Sequence, residues 1–245
     1  MNRDERGKQL VESFSIAGKH HNYESKNNQD AILFKRNQNY CAMVLADGVS
    51  TCEQAKMGAE IACQATTDFL LQHAKRIFHM NHLEAAECLI AYTHDCLEKI
   101  AKQAEKEVSE YSSTLACVLF DRNKNQFFFC SIGDSLITAT KNNNCYIIAM
   151  PADSRNGCCV TTTPNPISMA KAGVLDATNI ESIMICSDGA WHFMYHRNRM
   201  QQQIKEILIR QDYETLKKTF LEKERFDDCS FITMNPAAFL RRNSV

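Results

Sequence analysis

Two aspartates each close an apolar run and are each followed by glycine: AMVLAD ends at Asp47 before Gly48, and IMICSD ends at Asp188 before Gly189. An apolar strand fixes such a carboxylate at its end, and the glycine lets a second backbone, an ion or a water come close. The carbonyl beside that glycine is a further oxygen donor. Other acids repeat the arrangement. SIGDS sets Asp134 just after the run FFFCSI, and FDDCSFITM sets Asp227 and Asp228 just before the last apolar run. Carboxylates gathered at one edge repel unless cations sit among them, and an all-oxygen set favours hard ions such as Mg²⁺ or Mn²⁺ over zinc. Two such ions activate water and stabilise charge on a phosphoryl group. The competing reading is that each acid caps its own hairpin, because Asp-Gly is also a turn dipeptide. Spacing alone leaves both open.

The elements that must position these acids follow from periodicity. Runs of strand length and composition fall at 13–18, 31–35, 40–46, 114–121, 126–132, 136–140, 145–150, 182–187 and 229–234. The turn-like segments RNKN at 122–125 and KNNN at 141–144 predict that the second block of strands is an antiparallel meander. Two long helical patterns at 53–76 and 82–111 separate the blocks, with further helices at 190–194, 201–211 and 213–224. The charge run LEKIAKQAEKEVSEY reads as a solvated helix face. The segment 151–172 holds three of the four prolines and reads as a surface flap beside a site. Strands and helices do not alternate as a βαβ pattern would, so the class is α+β, with antiparallel sheets and helices outside them. No linker divides the chain, and one domain over 1–245 is expected.

Composition removes several function classes. Lys plus Arg is 28 and Asp plus Glu is 29, a formal charge of -1, so no global field attracts nucleic acid. The 12 cysteines include no Cys-x-x-Cys, and Cys41, Cys117, Cys130 and Cys186 lie inside apolar runs as small buried hydrophobes. The charged start and the lack of a long apolar span lead us to expect a soluble, cytoplasmic protein in a reducing compartment, with no membrane partner. No cysteine is followed six positions later by arginine, and the G-x-S-x-G, P-loop and G-x-G-x-x-G patterns are absent. His192 and His196 have helical i, i+4 spacing, but Phe193 stands where a zinc protease needs glutamate.

Six segments occur in order along the chain: NQDA at 28–31, LADG at 45–48, SSTL at 112–115, SIGDS at 131–135, CSDG at 186–189 and DDCSFI at 227–232. This ordered set resembles the type 2C (PPM) metal-dependent serine/threonine protein phosphatases over residues 13–234. The resemblance implies two stacked antiparallel sheets flanked by helices, an αββα sandwich with metals at one edge. It implies that Asp47 bridges two Mn²⁺ or Mg²⁺ ions, that Gly48 offers its carbonyl to one, and that Asp188 and Asp228 complete the other. Asp30 would hold a metal-bound water, and Asp134 with Asp188 would match a third ion. The implied reaction is hydrolysis of phosphoserine or phosphothreonine in proteins by attack of a metal-bridging water, carried out by a monomer on a phosphoprotein substrate.

Departures from the family pattern sit near the first motif. Ser25 occupies the place of the arginine that anchors substrate phosphate, and Gln29 that of an acidic residue, as in a divergent bacterial branch. Lys26 is the nearby candidate for substrate binding, as a point charge without arginine's fork. VSTCEQAKMG replaces the glycine-rich turn after LADG, leaving His20 or His21 as the only histidines near the motif. These lesions define an alternative, a pseudophosphatase that uses the fold as a regulatory or binding module. Retention of Asp47, Asp134, Asp188 and Asp228 argues for the enzyme, since acids without metal would repel one another to no gain.

Overall fold

The run YCAMVLAD forms strand β3 (Tyr40–Asp47), whose two faces are both apolar. Met43 and Leu45 turn to one hydrophobic cluster, and Val44 and Ala46 to another. A strand covered on both faces reads as a continuous apolar run and must lie inside a layered structure. The computed structural model shows those layers and describes residues 9–18, 27–152, 159–196, 199–222 and 227–240.

One sheet has the order β2-β3-β4-β5-β8, built from β2 (Asp30–Arg36), β3, β4 (Leu115–Asp121), β5 (Gln126–Ile132) and β8 (Lys171–Asp176). The other has the order β1-β12-β9-β6-β7, from β1 (Val11–Ile16), β6 (Leu136–Lys141), β7 (Asn144–Ala149), β9 (Ile180–Cys186) and β12 (Cys229–Met234). Every pairing in both is antiparallel. Between the sheets pack Met43, Leu45 and Phe127 from the first with Ile137, Ile185 and Ile232 from the second. Helices α1 (Ala55–Ile77) and α2 (His82–Gln103) cover the outer face of the first sheet, with Ala59, Ala62, Leu70 and Leu89 against Val44, Cys117 and Phe128. Helices α3 (Asp188–Met194), α4 (Gln202–Arg210) and α5 (Tyr213–Glu222) cover the second, with Ile204, Leu216 and Phe220 against Met184 and Phe231. The short strands β10 (Tyr195–His196) and β11 (Arg199–Met200) pair with each other, and α6 (Pro236–Leu240) follows β12. The α+β sandwich expected from the sequence is the observed architecture.

Four expectations are corrected. Strands β4 to β7 are not a meander, because β5 and β6 do not pair: the chain leaves one sheet at Ile132 and enters the other at Leu136. Gly133 makes that passage with φ +94, where an added Cβ would also lie 2.7 Å from Thr114. The second long helix stops at Gln103 rather than continuing to 111, because Glu105 takes a left-handed φ of 55 and a 3-10 turn (Val108–Tyr111) follows. Strand β8 occupies Lys171–Asp176, where only the end of a flap was expected. His196 lies in β10 after the helix has ended at Met194, so it forms no helical pair with His192. The cysteines in apolar runs are buried, and every described cysteine is free. Among the described residues no helix is long and apolar enough to cross a membrane.

Candidate active site

Strand pairing brings the first two acids together. Asp30 opens β2, Asp47 closes β3, and the register sets them directly opposite each other at one edge of the sheet. Thr114 fixes the end of β3 from both sides: its amide donates to the Asp47 carbonyl at 2.8 Å, and its hydroxyl accepts from the Asp47 amide at 3.1 Å. Gly48 bridges to Ser113 beyond the strand end. A Cβ at Gly48 would stand 2.7 Å from the Ala55 carbonyl oxygen, so only glycine lets α1 start this close to the edge.

The second sheet supplies the remaining acids at the same edge. Ser187 follows β9, and its hydroxyl donates to the Asp30 carboxylate at 3.0 Å and accepts from the Ser230 amide at 3.0 Å. Asp188 then opens α3. Gly189 follows it because a Cβ there would sit 2.0 Å from the Asp228 carbonyl oxygen, a collision between backbones. The Trp191 indole donates to the Asp134 carbonyl at 2.8 Å and ties α3 to the passage between the sheets.

The same burial and neighbours set the proton affinities of these acids. Burial pushes the Asp188 carboxyl up to about 7, with the charges of Asp227 and Asp134 adding to it. Burial also raises Asp47 well above the carboxylate range, followed by Asp30, Asp188, Asp227 and Asp134. Asp30 rises to about 7, mainly by burial, against the hydroxyls of Ser230 and Ser187 that favour its anion. One oxygen each of Asp30, Asp188 and Gln29 is buried without a hydrogen-bond partner. The charges that bear most on these acids are carboxylates, and cation ligation would satisfy both the repulsion and the orphaned oxygens. Among the described residues no three His, Cys, Asp or Glu side chains already close into a metal cage. The edge carries hard oxygen donors from Asp30, Asp47 and Asp188.

The two neighbouring aspartates before β12 have different surroundings. Asp228 is buried, and its two oxygens accept from the Gly18 amide at 2.8 Å and the Gln29 amide at 2.6 Å. Asp227 is exposed and is the one whose charge bears on Asp47 and Asp188. The carboxylate of Asp228, expected as a ligand, clamps the backbone that leads into β2 and its charge bears on Asp30, while the charge of Asp227 bears on Asp47 and Asp188. Alternation explains the difference. Asp228 is one residue from β12 and turns inward between the chain segments, whereas Asp227 stands one step farther out. Lys26, Ser25, His20 and His21 lie outside the described residues.

A family model described as protein phosphatase 2C matches residues 17–223. The chain belongs to the protein phosphatase 2C family. Membership makes it a protein serine/threonine phosphatase by class, and the family is metal-dependent. Solved structures of the same fold include the serine/threonine phosphatase Stp1 from Staphylococcus aureus, at 17% identity and TM-score 0.67 over 93% of this chain and 95% of that one. A bacterial serine phosphatase matches at 16% identity and TM-score 0.65 over 92% and 96% of the two chains. RsbX in complex with magnesium matches at 11% identity and TM-score 0.52 over 92% and 94%. A search of curated protein sequences returns no match. Within this phosphatase, Ser187 and Thr114 lie inside motifs quoted from the sequence but were given no role there, and Asp227 was named beside Asp228 as a strand-end acid without being expected as a ligand. Ser187 carried a usable signal, because it stands between a buried strand and an Asp-Gly pair.

Proposed function

We propose that the chain hydrolyses phosphoserine and phosphothreonine in proteins at the edge where Asp30, Asp47, Asp188 and Asp227 meet, with Mn²⁺ or Mg²⁺ bound among them. The observation that carries this reading is that Asp30, Asp47 and Asp188 are buried at one edge, where burial and neighbouring carboxylates raise their proton affinity and one oxygen each of Asp30 and Asp188 is left unpartnered. When bound, such ions supply Lewis acidity that activates water and takes up charge on phosphoryl oxygens. Asp47 and Asp188 are the central ligands, with Asp227 beside them and the Gly48 carbonyl as a further oxygen. Asp134 extends the set toward a third ion. Asp30 keeps one oxygen on the Ser187 hydroxyl and leaves the other free to orient water. Asp228 is a positioning residue that holds the Gly18 and Gln29 amides and so fixes where β2 begins. Because the acids run from Asp30 to Asp227, we read residues 13–234 as one catalytic domain.

The test is hydrolysis of an aryl phosphate and a phosphothreonine peptide with Mn²⁺, beside a calorimetric Mn²⁺ titration. Asp188→Asn and Asp227→Asn are expected to lower turnover by about a hundredfold or more, by removing charge from the ion site. Asp228→Asn is expected to lower the thermal midpoint at least as clearly as it lowers turnover. Wild-type rates in Asp188→Asn would overturn the centre, and an unchanged Asp227→Asn with a metal-blind Asp228→Asn would restore Asp228 as ligand. A wild type that binds no Mn²⁺ would favour the pseudophosphatase.

A further inference from the structure

A groove of about 310 Å³ runs between α2 and the loop 161–167, away from the carboxylate edge. Its apolar lining comes from Ile90 and Ala91 on the helix and from Pro166 and Ile167 across from them. Glu87 and Asp95 stand on the helix wall, two turns apart on the face that also carries Ala91, with His94 beside them. Both acids are exposed, and neither forms an ion pair with a described residue. The loop side brings Thr161, Thr163 and Asn165 and no cation.

The floor of this groove is joined to the reaction edge through backbone. The amide of buried Thr161 donates to the Ser113 carbonyl at 2.8 Å, its hydroxyl accepts from the Ser113 amide at 3.2 Å, and Ser113 bridges to Gly48. Paired backbones stand about 5 Å apart, so Thr161 lies about 10 Å from Gly48. An extended polypeptide advances about 3.3 Å per residue, so a phosphoresidue at the edge would place a neighbour about three or four positions away over the groove.

We propose that this groove holds the segment flanking the phosphorylated residue of the substrate and selects an aliphatic side chain next to lysine or arginine. This rests on the phosphatase reading above and adds a sequence preference to it. The aliphatic group would cover Ala91 and Ile167, and the cation would meet Glu87 and Asp95. A chain with nearly balanced charge has no global field, so this local pair of acids sets the preference.

The experiment compares phosphothreonine peptides with arginines or with glutamates about three and four residues from the phosphate, and an aryl phosphate too small to reach the groove. The proteins are wild type and the double variant Glu87→Lys/Asp95→Lys. Wild type is expected to favour the basic peptide by about tenfold in kcat/KM, through KM, as two charge pairs of the exposed kind allow. The double variant should lose that preference and keep its rate on the aryl phosphate. Retained preference, or an equal loss on the aryl phosphate, would overturn the proposal. Fluorescence anisotropy with the unphosphorylated basic peptide separates the two readings. Weaker binding to the variant supports the groove even where no substrate is turned over, in which case the phosphatase reading alone fails. Equal binding to both proteins overturns the groove.

Discussion

Burial is the main reason that the carboxyls of Asp30 and Asp188 stand at about 7 against an ordinary value of 3.8. In metal-free protein between those two values, the folded state binds more protons than the unfolded chain, so stability falls as pH rises. The contribution of these protons is complete below the unfolded value and is lost as pH passes through about 7. With chelator present, the thermal midpoint is therefore expected to fall between about pH 5 and about pH 8, and added Mn²⁺ should raise it more at the higher pH. Differential scanning fluorimetry checks this, and a midpoint that climbs with pH in chelator would contradict the cluster. At this scale the sequence was readable where an acid ended an apolar run before glycine, as at Asp47 and Asp188. It was not readable between Asp227 and Asp228. Adjacent residues of one type differ only in which backbone amides they meet, and Gly18 and Gln29 come from some two hundred residues away.

Elements were legible where their interior decided them. QFFFCSI is buried along nearly its whole length as β5, and its composition admits little else. KAGVLD, at the edge of the same sheet, is half-exposed, contains glycine and is flanked by charges, so tertiary pairing with β5 rather than propensity makes it a strand. The end of α2 was hidden for another reason. Helix-forming residues continue past Gln103, while the backbone reverses at Glu105 with φ 55 and the Lys106 amide returns to the Ala101 carbonyl at 2.9 Å. This is a left-handed cap with a side chain where glycine is favoured. Glu105→Gly is expected to stabilise the protein by about 1 kcal/mol, read as a higher urea midpoint with unchanged slope. A lower midpoint would show that the Glu105 side chain, not the backbone, sets this end. The rate on aryl phosphate should not change, because the cap lies on the outer layer.

For the molecule as a whole, each sheet positions part of the charge cluster: Asp30 and Asp47 at strand ends of one, Asp188 just past β9 and Asp227 just before β12 of the other. The order of the strands could not be read from the chain, since the two sheets exchange strands at Gly133 and β1 pairs with the last strand, β12. What separates the acids is then the thickness and stagger of the interior. Met43, Leu45 and Phe127 face Ile137, Ile185 and Ile232 there, and they act as a gauge block whose dimensions are copied to the rim. Ile185→Val removes one methylene from that block, one residue from the end of β9, at a cost of about 1 kcal/mol. Turnover measured well below the thermal midpoint is expected to fall by more than that loss of folding implies, while every polar residue at the edge stays in place. Turnover equal to wild type at matched folded fraction would show that the rim holds its own spacing. A change of one carbon, shut away from solvent and substrate alike, would on this view tune the enzyme as finely as any residue that touches phosphate.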